Sequence, residues 1–384
     1  MMLHGQGDEG TRGPYRPSRR HVIRVMAGGG AAAALLPAWP TSGPAAAATP
    51  SADWEQVLAA AKKEGKVAVD TFTGQGYARV FKLFTQAYPE IKLEHTNLES
   101  ADFAPRVIQE RKAGLYTWDV ATIPTSTGLQ VLKPAGAWDP VRPAIILPAV
   151  KDNANWRDGF EAGFLDKDRQ IAYSFSLVRA VGVFANVDLV KDGELRSFKD
   201  LLAPRWKGKI VISDPRVIGS TFWPLTVARL KLGDGIMKQL LIDQEPVLSR
   251  DRNQLTEFMV RGRSPLGIGL NILALQDFQA KGVGKNIKTI PLPETDYQSG
   301  GSVVWLLNRA PHPNAARVFI NWLLTKEAQA AWARELQTNS RFVGVAPGNL
   351  ETVVPPGVQL TQIDSEELLP EVIKTQDIAR QLIR

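Results

Sequence analysis

Apolar positions along this chain alternate between two rhythms. From Asp53 the spacing is helical: Val57, Leu58 and Ala61 share a face, Asp53 is placed to cap, Gln56 follows three residues on as in a capping box, and Gly65 stops the run. Residues 66–72 then read as a strand. Residues 77–88 return to helical spacing, with Val80, Phe84 and Ala87 on one face and Pro89 just past the end. Residues 91–95 predict a strand, 103–112 a helix ended by Gly114, and 118–123 a buried strand. Strand and helix taking turns predict an α/β layer with a largely parallel sheet.

The pattern changes after residue 170. Residues 171–176 and 180–186 read as extended, buried strands, and 197–202 as a short helix. Residues 210–212 are a β-branched run bounded by turn residues, and 225–232 form a helix body stopped by Gly233. Strands are predicted at 264–270, 287–291 and 303–307, a helix at 271–281, and a turn at 298–302. One helix starts at Pro311-His312-Pro313, with proline near its first turn, and a second runs from Glu327 to Leu336. No internal repeat and no long linker interrupts the order.

Polar turns recur where strands hand over to helices: Thr73-Gly74-Gln75, Thr125-Ser126-Thr127 and Gly219-Ser220-Thr221. In open α/β sheets, ligands sit at the carboxyl ends of strands. The third turn offers free backbone N–H groups, two hydroxyls and the positive end of a helix dipole, which suits an anion. The same residues are also ordinary helix caps.

Composition narrows the chemistry. At 384 residues the chain is long enough for about two domains. With 44% hydrophobic and 22% charged residues, it has the balance of a soluble globular protein. It has no cysteine, which excludes disulfides, thiolate metal sites, a thiol nucleophile and a lipid-anchor cysteine. Of four histidines, only His95 and His312 lie beyond the first 48 residues, so a histidine metal cluster is not expected. There is no Gly-x-Ser-x-Gly elbow, and Glu366-Glu367 are adjacent, which on a helix does not bring two carboxylates face to face; an enzyme is not expected. Net charge is +7, of which the first 48 residues carry +3, leaving a mild +4 without the dense basic stripe of a nucleic-acid binder.

Those first residues have their own pattern. Ser18-Arg19-Arg20-His21-Val22-Ile23-Arg24 precedes a soft apolar run and the small residues Ala46-Ala47-Ala48. The order is that of a twin-arginine export signal, with cleavage expected near Ala48. The apolar core is too short for a membrane span. The mature protein is expected to be a free, soluble periplasmic protein.

The order of motifs resembles the bacterial extracellular solute-binding proteins of ABC transporters, in the ferric-iron, phosphonate and sugar-phosphate branch. The resemblance rests on Trp118-Asp119-Val120-Ala121-Thr122, on Val183-Phe184-Ala185-Asn186, on the run from Ser197 to Ile210 with Asp214-Pro215-Arg216, and on the run from His312 to Gln329. It covers about residues 55–345, and its most specific segments are 197–216 and 312–329. It implies a two-lobed, type 2 periplasmic-binding-protein-like α/β fold with a hinge and an interlobe ligand cleft. Lobe 1 would comprise residues 52–172 plus 290–336, and lobe 2 residues 173–289 plus 337–384. It implies capture of a small molecule and transient delivery to ABC permease subunits in the inner membrane, by a monomer without a cofactor. A binding protein that reports to a receptor kinase would share fold and site.

Iron-binding members of the family use an adjacent tyrosine pair, and this chain departs from that. Its tyrosines beyond the leader are Tyr77, Tyr88, Tyr116, Tyr173 and Tyr297, none adjacent, and Ile268-Gly269-Leu270-Asn271 stands near where the pair would fall. A hard Fe³⁺ ion wants anionic oxygen ligands, so no direct metal site is expected; iron carried as a chelate is the alternative. The expected ligand is a small organic anion: a phosphonate, phosphate ester or carboxylate. Thr73, Gly74, Gln75, Thr125 and Ser126 would contact it from one lobe, and Gly219, Ser220 and Thr221 from the other. Arg216 would pair with its charge or with a nearby acid. Trp223, with Phe222 beside it, would stack on an organic body or pack in the core. Asn271 would bond ligand or cap a helix, and Ser299, with the residues to Ser302, would belong to a hinge or a ligand loop.

Overall fold

A computed structural model describes residues 52–71, 75–216, 222–299, 301–355, 358 and 360–383. The expected export signal, Thr73, Gly74 and the Gly219-Ser220-Thr221 turn lie outside the described residues. All described residues belong to the unit that starts at Ala48.

In chain order the described strands are β1 (Lys66–Thr71), β2 (Lys92–Thr96), β3 (Val120–Thr122), β4 (Trp138–Asp139), β5 (Tyr173–Ser174), β6 (Val178–Ala180) and β7 (Val183–Asn186). They continue with β8 (Ile210–Ser213), β9 (Val247–Ser249), β10 (Leu266–Ile268), β11 (Ile287–Ile290), β12 (Tyr297–Ser299), β13 (Val303–Leu307) and β14 (Thr361–Gln362). They form three sheets. The first has the order β2-β1-β3-β13-β4, with β5 also on β13. The second is β11-β7-β10-β8-β9, and the third is β14-β12-β6.

The first two sheets are mixed. β1 runs parallel to β2 and β3, whereas β13 runs antiparallel to β3, β4 and β5. β8 runs parallel to β9 and β10, whereas β7 runs antiparallel to β10 and β11. The chain passes from the first sheet to the second through β6, and returns through β12. Those two crossing strands pair with each other and, with β14, make the small third sheet. Two lobes joined by crossing strands are the expected fold.

Each large sheet is covered on both faces, so its strands read as near-continuous apolar runs. Val67, Val69 and Val304 face one core of the first sheet, while Ala121, Val303 and Trp305 face another. In the second sheet Ile210 and Ile212 turn to one side and Val211 to the other. The period of two puts alternate residues on opposite faces.

The helices follow their apolar spacing. Trp54, Val57 and Ala61 are buried in the helix Ala52–Glu64, and Gly65, at φ 72°, ends it in the left-handed region. Asp53, expected as the cap, lies within this helix, in the first turn where a negative charge meets the helix dipole. Ser197 and Asp200 form a reciprocal capping box at the turn Phe198–Leu202. Thr325 caps the helix Lys326–Leu336 by accepting from the Ala328 N–H at 3.3 Å.

Two expectations on strands need correction. Residues 171–176 were expected as one strand, but β5 ends at Ser174 because the chain there leaves β13 to join the small sheet. Gln298 and Ser299 were expected in a turn; they belong to β12, whose backbone is held between β6 and β14.

Candidate functional site

A cavity of about 290 Å³ opens where the three sheets meet. Its described lining comprises Pro124, Thr125, Ser126, Trp223, Tyr297, Ser299, Gly301, Val303, Ile363 and Asp364. Each part of the wall is held by a local device.

Thr125 and Ser126 open a helical turn just past β3. The turn is held by the Gly128 N–H donating to the Pro124 carbonyl at 3.0 Å and by the Trp138 Nε1–H donating to the Gly128 carbonyl at 2.9 Å. Gly128 lies flat on Trp305: a Cβ there would come within 2.3 Å of Cζ2. Thr125 is buried and Ser126 half-buried.

Trp223 enters from the helix Phe222–Leu232, the first helix after β8. Its ring centroid is 6.4 Å from that of Tyr297, with 33° between the planes. The two rings pack with Leu368 against Val227, Ile363 and Val372, so Trp223 both packs and lines the cavity.

Tyr297 and Ser299 lie on β12. Past it, Gly301 takes φ 58°, and its N–H donates to Ser299 Oγ at 3.2 Å. The Ser302 N–H donates to Ser176 Oγ at 2.7 Å. Ile363 follows β14 and donates its N–H to the Gln298 carbonyl at 3.3 Å. Asp364, only 5% exposed, accepts from Ser299 Oγ at 3.3 Å and from the side-chain amide of Gln362.

Among the described lining residues Asp364 is the one charged side chain. Burial pushes the Tyr297 phenol well above its ordinary pKa, and the Asp364 carboxylate adds to the shift, while Arg252 pulls the other way. Arg252 stands behind the wall, its Nε and Nη2 donating to the carbonyls of Gly269 and Leu270 at 3.0 and 2.5 Å. Asp296, beside Tyr297, is matched by Arg179 at 3.0 Å.

The structure thus brings together four expected site residues: Thr125, Ser126, Trp223 and Ser299. Gln75 begins the helix Gln75–Ala87. Arg216 is not in the lining. Its Nε and Nη2 clasp the Asp214 carboxylate at 2.9 and 2.8 Å, and its Nη1 donates to the Ile383 carbonyl at 3.4 Å. That ion pair holds the Asp214 carboxyl down at about 2, so the nearby-acid alternative describes Arg216. Asn271 acts as a helix cap: its Oδ1 accepts from the Ala274 N–H at 3.3 Å and its Nδ2 donates to Asn253 Oδ1 at 2.7 Å.

Sequence reasoning missed Pro124, Tyr297, Val303, Ile363 and Asp364, whereas Gly301 lies in the segment expected as a hinge or ligand loop. Tyr297 was in view, counted only as a tyrosine without an adjacent partner. Asp364 has no local signal, because its place depends on β14 pairing with a strand more than sixty residues upstream.

Comparison with known proteins fits this architecture. Residues 79–342 match the family model described as bacterial extracellular solute-binding protein. The iron- and citrate-bound FutA of Trichodesmium superposes with a TM-score of 0.63 at 16% identity, over 83% of this chain and 99% of that one. An ABC transporter structure from Clostridium perfringens gives a TM-score of 0.63 at 16% identity, over 83% and 100%. Iron-bound HitA of Pseudomonas aeruginosa gives 0.57 at 15%, over 83% and 99%. At these identities the likeness is one of fold. A 139-residue stretch is 27% identical to an uncharacterised protein of Haemophilus influenzae, spanning 36% of this chain and only 40% of that protein. With the family match running through both large sheets and the crossing strands, this chain belongs to the bacterial extracellular solute-binding proteins, with the two-lobed type 2 fold.

Proposed function

We propose that this protein is the periplasmic capture component of an ABC importer, holding a small organic solute in the cavity at the crossing strands and passing it to a membrane permease. The observation that carries the reading is the origin of the wall. Thr125 and Ser126 come from the first sheet, Trp223 from the helix after β8 of the second, and Tyr297 and Ser299 from the strand that joins them. A ligand touching all three is sensed by any hinge motion of the lobes, and pockets concentrate at such junctions. The twin-arginine pattern supports delivery to the periplasm.

A bare ferric ion fits the wall poorly. Tyr297 and Asp364 are the described lining residues able to offer an anionic oxygen, and the high phenol pKa disfavours the phenolate. The iron and citrate in the FutA structure favour a second reading, cargo carried as a chelate. An organic oxyanion would find hydroxyl donors in Thr125, Ser126 and Ser299, but the arginine expected to meet its charge is committed to Asp214.

Thermal unfolding of the mature protein with a panel of organic anions, organic amines, neutral solutes and ferric citrate tests the reading. A true ligand at a hundred times its Kd stabilises by about 2.7 kcal/mol. Thr125→Trp, which fills the cavity, is expected to abolish that stabilisation. Stabilisation by none of the panel, or stabilisation that survives Thr125→Trp, overturns the reading.

A further inference from the structure

We infer that the C-terminal segment is a strap across the two lobes, and that the grip of Glu366 on the first lobe restrains their opening. The inference goes beyond the capture reading: it concerns the motion of the lobes and holds whatever solute the cavity takes.

The strap is a further passage of the chain between the lobes, after β6 and β12. It begins at β14, which pairs with β12, and ends in the helix Leu369–Leu382. Between them Glu366 is held on the first lobe from three sides. Its backbone N–H donates to the Leu165 carbonyl at 2.8 Å. Its carboxylate accepts from the Lys167 N–H at 2.8 Å and from Lys133 Nζ at 2.5 Å. Burial alone would raise the pKa of this carboxyl; the Lys133 and Lys167 bonds outweigh it and hold it below its usual value. Lys133 directly follows the helical segment that opens with Thr125 and Ser126. One short element therefore carries cavity wall at its start and the anchor of the strap at its end.

The strap then divides between the lobes. Leu368 packs with Val227 and Val372, beside Trp223 of the helix after β8, whereas Leu369 packs on the first-lobe core that holds Val303 and Trp305. Beyond this pair the helix Leu369–Leu382 is fixed to the second lobe. Arg229, only 3% exposed, donates to Thr375 Oγ1 at 3.0 Å, to the Glu371 carbonyl at 3.0 Å and to Asp234 at 2.8 Å. Ala379 is buried in the core with Ile210 and Ile212.

The two anchors are unequal. Opening the Arg229 anchor strands a buried guanidinium away from water, which is costly. The Lys133 side chain is 30% exposed, and an ion pair with such access to water is worth little, enough to bias a population without locking it. When the lobes part, the strap leaves the first lobe at Glu366 and stays on the second. It takes with it Ile363 and Asp364, which line the cavity. Lys133, Lys167 and Glu366 are outside the lining, so the clasp acts on a solute only through the balance of lobe arrangements.

The test needs no solute. The chain has no cysteine, so two introduced cysteines take spin labels at chosen places alone. Lys82→Cys lies at an exposed position of the first-lobe helix Gln75–Ala87, and Gln276→Cys at one of the second-lobe helix Ile272–Ala280. Pulsed dipolar electron resonance on the doubly labelled mature protein reads the distribution of interlobe distances. Glu366→Gln and Lys133→Met are each expected to raise the ratio of wider to narrower arrangements roughly twofold or more. Glu161→Gln, which removes the bidentate pair with Arg142 inside the first lobe, is the control and should leave the distribution unchanged. An unchanged distribution in either folded strap variant overturns the inference, and so does an equal shift in Glu161→Gln. If Glu366→Gln does not fold, Lys133→Met decides alone. Because no solute takes part, failure here leaves the capture reading standing, and that reading is judged separately by the ligand panel and Thr125→Trp.

Discussion

Two aspartates at the carboxyl ends of strands, one in each large sheet, are pushed in opposite directions. Asp70 is the penultimate residue of β1, and Asp214 directly follows β8. Both are almost wholly buried, at 0% and 3% exposure. Asp70 accepts one hydrogen bond, from the Leu98 N–H at 3.2 Å, and its second oxygen has no partner in the structure. Burial raises its pKa to about 7, and the Leu98 bond and the more distant Arg106 only partly offset this. Asp214 is clasped by Arg216, receives the Arg216 backbone N–H at 3.0 Å and is touched by Arg250 at 3.3 Å. Its pKa falls to about 2. Similar topological positions thus give opposite acids. Desolvation, which favours the neutral form, dominates at Asp70, and the bonded Arg216 guanidinium, which favours the charged one, dominates at Asp214.

The contrast predicts two limbs in the pH profile of stability. Asp70 binds its proton more tightly when folded, so its contribution is complete below about pH 4 and is lost as pH rises towards 7. The shift corresponds to a loss on the order of 4 kcal/mol across that window. Urea unfolding at pH 4 and pH 8 should show it in the wild type and not in Asp70→Asn; a slope that persists in the variant would assign the effect elsewhere. Asp214 behaves in reverse. Its folded pKa is depressed, so its contribution is present above about pH 4 and is lost as pH falls towards 2. Arg216→Gln should flatten that acid limb, by less than the Asp70 effect because Asp214 keeps Arg250 and its backbone donors. An unchanged acid limb in Arg216→Gln would break the comparison.

The same contrast explains what could be read from the sequence. Strands buried on both faces announce themselves, as Val67 to Val69, Ile210 to Ile212 and Val303 to Leu307 do, because every position must be apolar. Helix starts with a Thr or Ser at the cap are equally local, as at Thr325 and Ser197. β12 was illegible because Tyr297-Gln298-Ser299 is polar and half-buried; its strand character comes from two partners distant in sequence. Which of the two alternatives for Arg216 the structure shows was illegible for a related reason. Its partner stands two residues upstream, and the local string Asp-Pro-Arg does not say whether the guanidinium turns back or outward. Thr125 and Ser126 line the cavity, on a turn whose geometry follows directly from the end of β3. Asp364 reaches the cavity through the C-terminal segment and left no trace in any local pattern.

The smallest expected effect sharpens the division between the turn after β3 and the turn after β8. Ser126 is half-buried, lines the cavity and sits on a turn pinned by Trp138 and Gly128. Removing its hydroxyl costs one neutral hydrogen bond to a bound solute, about 1 kcal/mol or roughly fivefold in affinity. The turn should survive, because its geometry is held by backbone and tryptophan bonds rather than by the serine. Arg216, by contrast, should be replaceable by glutamine with affinity unchanged within twofold, since its guanidinium serves Asp214 and the Ile383 carbonyl. The measurement is calorimetric affinity for whichever probe binds the wild type, taken on Ser126→Ala and Arg216→Gln side by side at pH 7, where Asp214 stays ionised. Ser126→Ala alone should weaken binding. If Arg216→Gln weakens it as much, then the ion pair opens to admit ligand, and the turn after β8 belongs to the site as fully as the turn after β3.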